Sequence, residues 1–269
     1  MRKIVLIAFL LIHLNSFSQE LFVFTEPASN MPAKSLGFRD MNGFFLEKDG
    51  KLNYHNMPEL MWGINKKWMV HAQGFISNRQ DGGFETEGGS FYAKYRFFSN
   101  DALKKHFRMA LYGRYSFNKA DIHQQEIETM GHNSGYEAGF IATQLLHKVA
   151  ISSSISYERA LDNQPNYKFP STESNSAMNY TLSAGKLMLP KVYTSYKQVN
   201  MNLMLEFIGQ RLNDNQKSFL DIAPSVQFIF NSQARVDIGY RRQLYSTMER
   251  TAPNGMVLKF EYLLFNVFK

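Results

Sequence analysis

From Ser35 to its end the chain alternates apolar and polar positions. Trp68, Val70, Ala72, Gly74 and Ile76 share one parity, and His71, Gln73 and Ser77 take the other. Phe107, Met109, Leu111, Gly113, Tyr115 and Phe117 oppose Arg108, Tyr112, Arg114 and Ser116. Successive side chains of a strand point to opposite faces, so each such run predicts a strand apolar on one side and polar on the other. The pattern recurs from Ser35 to Glu47, around Leu60–Ile64, from Phe91 to Phe97, Tyr136 to Thr143, Val149 to Glu158 and Tyr180 to Met188. It continues from Val199 to Gln210, Leu220 to Phe230, Ala234 to Leu244 and Met256 to Lys269. These runs predict about twelve strands. Pro224 within the tenth cannot donate to a ladder, which predicts a bulge there.

The stretches between the strands carry a second pattern. Those after odd-numbered strands are longer and polar, as in 78–89 with its paired glycines and in 118–135. Those after even-numbered strands are mostly tight, as at Asn65-Lys66-Lys67, His147-Lys148 and Asn231-Ser232, with Ser99-Asn100-Asp101 opening another short connection. Large aromatics gather beside the tight turns: Trp62 and Trp68, Phe97 and Phe107, Phe228 and Phe230, with Phe268 at the same level. A soluble β-sandwich also alternates, but it explains neither the long–short rhythm nor an aromatic girdle at one rim. A membrane-spanning barrel explains both.

Composition agrees. Aromatics form 14% of the 269 residues, yet mean hydropathy is −0.33, as expected where strands divide themselves between lipid and lumen. No later stretch approaches the ~18 apolar residues of a spanning helix. Arg2 and Lys3, an apolar run Ile4–Leu14 and Ser16-Phe17-Ser18 read as a signal peptide over residues 1–18. Residues 19–34, with Pro27 and Pro32, read as a periplasmic lead-in, either lying against or within the barrel or a plain disordered leader, and the barrel occupies 35–269. There is no cysteine, so sheet hydrogen bonds and packing must hold the fold. The formal charge of +7 comes with no basic run, which argues against nucleic acid.

The last stretch, Met256–Lys269, puts an aromatic, Phe268, beside the terminus. It resembles the C-terminal strand of bacterial outer-membrane β-barrels, whose closing aromatic the barrel-assembly machinery reads. The resemblance implies an all-β, antiparallel transmembrane barrel of about twelve strands in the cell outer membrane, with short periplasmic turns and longer external loops. Its partners would be membrane lipid, that machinery during insertion, and small solutes.

The inward parity carries Lys94, Arg96, Arg108, Arg114, Glu158, Glu206, Arg235, Asp237, Arg241, Lys259 and Glu261. The basic members fall on strands four, five, eleven and twelve, forming two stripes. They predict either a water-filled passage whose field favours small anionic solutes or an interior plugged by Arg–acid networks. A passive channel is the leading reading. A closed structural barrel with binding loops is an alternative.

A lipid-acting hydrolase is the other. His132 and Ser134, two apart, share the parity of Tyr136, Ala138 and Phe140 and so would face lipid. His132-Asn133-Ser134-Gly135 is similar to the His-x-Ser-Asn-Gly element of outer membrane phospholipase A, with Gly135 where that pattern has Asn. His55, Met57, His123, Met130 and His132 offer soft ligands of the kind copper accepts, but at no paired spacing. No phosphate loop, dinucleotide fingerprint or zinc motif appears, so neither a cofactor nor a metal is expected.

Overall fold

The structure, a computed structural model, describes residues 22–46, 50–79, 83–103, 105–163, 166–192, 195 and 197–268. The signal peptide expected over 1–18 lies outside these residues, as do Lys48, Asp49, Gly82 and Lys269. The twelve strands are β1 (Ser35–Leu46), β2 (Leu52–Gly63), β3 (Trp68–Ser77), β4 (Glu85–Ala102), β5 (Lys105–Asn118) and β6 (Ser134–Leu146), then β7 (Val149–Leu161), β8 (Ser176–Leu189), β9 (Asn200–Leu212), β10 (Ser218–Phe230), β11 (Ala234–Ser246) and β12 (Asn254–Leu264). Each pairs antiparallel with its neighbours in sequence, and β1 pairs with β12 from Leu36↔Leu264 to Leu46↔Asn254, closing the barrel. Closure leaves no unpaired edge, the condition for a sheet in hydrocarbon.

Exposure follows the alternation. Phe91, Leu111, Tyr115, Ile155, Leu182 and Phe260 are exposed on the outer wall, while their neighbours Tyr92, Ala110, Ser116, Ser156, Ser183 and Lys259 are buried. Apolar outside and polar inside is a membrane barrel's arrangement, inverted from that of a soluble protein. The aromatic girdle forms on the tight-turn rim. Trp62 stacks on Phe268 at 5.3 Å and Trp68 on Tyr95 at 4.6 Å, while Phe107 meets Phe98 at 6.0 Å. Phe97 lies at a register shift between Arg96 and Phe98 and reaches Phe140 at 6.1 Å. Phe230 is exposed on the same rim and Phe228 half-buried beside it.

Several boundaries differ from the pattern. β12 stops at Leu264 and does not run to Lys269. Asn266 takes φ 55°, and Val267 donates to the Lys34 carbonyl at 2.9 Å, so the chain turns back onto the start of β1. Phe268 reaches the girdle from this turn. β2 begins at Leu52, well before Leu60, because its cross-strand partners in β1 run to Leu46. Ser99–Asp101, expected to open a connection, belong to β4, whose ladder with β5 continues to Ala102. Gly88 and Gly89, expected in a loop, also pair within β4. The connection after β8 spans 190–199 and breaks the tight-turn rule. Pro224 keeps register with Leu205, and the bulge lies instead between Leu220 and Asp221, where the register to β11 shifts past Leu244.

Candidate functional site

The lumen is occupied by two chain segments, one from each end. The first is 22–34, which enters from the side of the termini. Glu206, on the inner wall of β9, accepts three consecutive main-chain N–H groups: Val23 at 2.9 Å, Phe24 at 3.1 Å and Thr25 at 2.8 Å. Successive amides curled around one carboxylate neutralise it without a cation. Lys259 on β12 donates to the Val23 carbonyl at 2.9 Å, and Lys94 on β4 donates to the carbonyls of Pro27 and Ser29 at 2.7 and 2.9 Å. Arg108 on β5 donates to the Ser29 hydroxyl at 3.0 Å, and Ala28 N–H reaches Thr143 on β6 at 2.9 Å. The segment is thus tied to strands around the ring. Phe22 and Val23 pack with Met41, Phe75, Met204 and Val257, and Met31 packs with Met61, Met69 and Leu263. Gly63 is small because the segment passes so closely: a Cβ there would sit 2.2 Å from the Pro32 carbonyl oxygen.

Glu26 joins this segment to the wall's charges. Arg39 on β1 ion-pairs with Glu26 at 3.1 Å, with Glu59 at 2.9 Å and with Glu261 at 2.9 Å, and Lys94 lies 3.3 Å from Glu26. Burial alone would raise the Glu26 carboxyl, but Lys94 and Arg39 outweigh it and hold the group well below the usual carboxylate range.

The second segment is the external connection 119–133. Glu126 meets Arg250 at 2.6 Å and Arg241 at 3.0 Å. Both arginines also bind Asp221 on β10, Arg250 at 2.8 Å and Arg241 at 2.6 Å, and Arg250 lies 3.8 Å over the Phe219 ring. Gln210 on β9 accepts from Ile127 N–H at 2.9 Å and donates to its carbonyl at 2.7 Å. Glu158 on β7 accepts from Thr129 N–H at 2.6 Å. Burial lowers the Arg250 guanidinium, but Glu126 and Asp221 outweigh it and the net shift is upward.

Between the two segments lies a cavity of about 210 Å³. Its wall includes Tyr92, Tyr112, Arg114 and Glu137; Arg114 sits 5.3 Å from the Tyr92 ring and 3.7 Å from Glu137. The Tyr92 hydroxyl is buried and has no hydrogen-bond partner among the described residues, so the chamber presents a free polar group.

The inward set from the sequence therefore divides. Lys94, Arg108, Glu206 and Lys259 hold the first segment; Glu158 and Arg241 hold the second; Arg114 lines the chamber. Arg235 pairs with Glu261 and lies 3.5 Å from Asp237, which Lys259 approaches to 4.0 Å. Arg96 sits at the rim, donating to the Lys66 carbonyl at 2.6 Å. Each basic side chain of the two stripes lies against an acid or a carbonyl. Arg39, Glu59 and Glu137 stayed outside the sequence-derived set, although their inward parity was available. Glu26, Glu126 and Arg250 lie in connections, where no periodicity points to them.

His132 and Ser134 do not face lipid. His132 belongs to the connection 119–133, ahead of β6, so strand parity does not aim it, and Ser134 is the first residue of β6. Ser134 is buried: its hydroxyl accepts from Asn118 N–H at 2.8 Å and donates to the Asn118 carbonyl at 3.1 Å. His132 binds Glu128 at 2.9 Å and Gln124 at 2.8 Å, and burial, then the Arg79 charge, hold its imidazole well below its ordinary pKa. A serine whose hydroxyl closes a main-chain clamp, with no base bonded to it, is not an activated nucleophile. His55 and Met57 lie on the inner face of β2, not in a loop. The His55 ring meets His132 edge-on at 5.0 Å, and among the described residues no group of three His, Cys, Asp or Glu side chains forms a metal site.

No family model matches the chain, and no curated protein matches it. Solved structures do. An outer membrane channel from Pseudomonas putida F1 superposes with a TM-score of 0.58 at 11% identity, over 90% of this chain and all of that one. The KdgM porin superposes at 0.48 with 9% identity, over 84% of this chain and 98% of that one. At such identities the likeness is one of fold, and the fold is that of an outer-membrane β-barrel.

Proposed function

We propose that the protein is an outer-membrane channel for small polar solutes, closed at rest by its two inserted segments and opened by their displacement. One observation carries this reading. A chamber of about 210 Å³, with a buried Tyr92 hydroxyl that has no partner among the described residues, sits inside the ring of strands between segments 22–34 and 119–133. Neither segment is part of the wall, so each can leave without breaking a strand ladder. The likeness in fold to a solved outer-membrane channel supports a conducting role. Because ion pairs balance the wall's charge, the reading assigns solutes by size and hydrogen bonding and gives anions no strong advantage.

The test is single-channel conductance in planar bilayers, comparing the whole protein, a variant lacking 22–34, and that deletion combined with Glu126→Ala. Rare small steps in the first, larger ones in the second and the largest in the third are expected. Inserted but silent protein in all three would overturn the reading and leave a closed barrel that acts through its external loops.

A further inference from the structure

The outer wall holds one polar island in the middle of its apolar belt. Asp40 on β1 points outward, between the inward Arg39 and Met41, and pairs across the ladders with Phe260 and Pro58. It lies near the centre of its strand, with Leu36 and Phe38 toward one rim and Phe44 and Leu46 toward the other. Asn42 and Asn56 share its face. Asn42 Nδ2 donates to Asp40 at 2.9 Å, and Asn56 Nδ2 donates to Asp40 at 2.7 Å and to Asn42 Oδ1 at 3.2 Å; the Tyr54 hydroxyl also donates to Asn42. Other outward charges, such as Arg159, Lys186 and Arg211, lie within a few residues of a strand end, where headgroups and water reach them. Asp40 has no cation partner among the described residues, and Asn56 Oδ1 accepts no bond there. A carboxyl and two amides turned toward hydrocarbon are costly unless another polar surface covers them.

We infer that this patch is a two-fold interface with a second copy of the same chain within the membrane. The patch is self-complementary, as a two-fold interface requires. It presents acceptors, Asp40 and Asn56 Oδ1, beside the second N–H of Asn42 Nδ2, so the spare donor of each copy can meet an acceptor of the other. Its shape repeats the same logic. Pro58 and Ala72 floor a groove on the wall, and the Phe38, Phe260 and Tyr262 rings stand beside it. A ring ridge adjoining a groove can seat into its own copy. Side chains that hydrogen-bond across a lipid-embedded interface are a recognised source of such association.

The chain has no cysteine, so single-cysteine variants report contacts cleanly. Pro58→Cys on the patch and Leu182→Cys on β8, across the barrel, are reconstituted in vesicles at low protein density and treated with a short bismaleimide. Cross-linked dimer is expected from Pro58→Cys alone, and lost when Asp40→Leu and Asn56→Leu are added. Those two changes make the wall more apolar, so the barrel still inserts, and gel mobility of the folded form checks it. Equal cross-linking at both positions, none at either, or a dimer that survives Asp40→Leu would each overturn the inference.

Discussion

The two inserted segments do the same job by different means. Segment 22–34 is tied down mostly through its own main chain, to side chains on β4, β5, β6, β9 and β12. Segment 119–133 carries one buried carboxylate, Glu126, held by two arginines, beside contacts from Gln210, Glu158, Ser116, Asn118 and Lys217. Main-chain contacts spread around a ring share the load, so no single side chain decides whether the segment stays. A buried charge cluster concentrates the load, because removing one partner leaves the others uncompensated. In the proposed closed state the external segment therefore holds the contact most sensitive to one substitution, Glu126, and the inner segment closes the opposite end.

The largest break in that comparison is removal of 22–34. It should open the inner end whatever the external segment does, and conductance steps should grow more than with any substitution. Next comes Glu126→Ala, which leaves Arg241 and Arg250 to share Asp221 alone; breaking a buried pair costs about 3–5 kcal/mol. Hydrogen exchange should then show 119–133 losing protection while 22–34 keeps it. Loss in both would mean the two are coupled. Smaller is Glu206→Gln, which keeps one acceptor but removes the charge. A charge-assisted bond is worth roughly twice a neutral one, so a loss of about 1–2 kcal/mol in segment docking is expected. Conductance of this variant should show brief openings.

Acid sharpens the contrast further. The Glu26 carboxyl is lowered when docked, so its contribution is fully present above the ordinary carboxylate value of 4.5 and is lost as pH falls toward the lowered one. Closed-state dwell times should be flat from neutral pH down to about 5 and shorten only below the ordinary range. Shortening near pH 6 would point to another group. The smallest effect belongs to Ser134→Ala, which breaks the Asn118 clamp. It should lower unfolding stability by about 1–2 kcal/mol in a urea titration, with no change in any lipid hydrolysis by the preparation.

How much was legible in advance varies with what each residue obeys. Lys94, Arg108, Glu206 and Arg241 were readable as inward because parity alone aims a strand side chain. Which acid, carbonyl or, for Glu206, main-chain amides each would meet was not readable, since most partners come from connections and from the leader. His132 and Ser134 were aimed wrongly because parity was extended past the start of β6: His132 sits in the connection, and Ser134, at the strand's first position, bonds its hydroxyl to Asn118. Asp40 shows the converse: the weak alternation of Ser35–Glu47 did not single it out, and its place appeared only once its strand was known to lie mid-belt beside Asn56.

By itself the sequence determined the architecture: alternation, turn chemistry and a rim of aromatics are local, and lipid outside with polar groups inside leaves a closed antiparallel barrel as their common solution. Only the tertiary structure decided that the lumen is filled. Contacts such as Val23 to Glu206 join residues 183 positions apart, and nothing in a periodic pattern encodes which distant donor will meet a given inward charge.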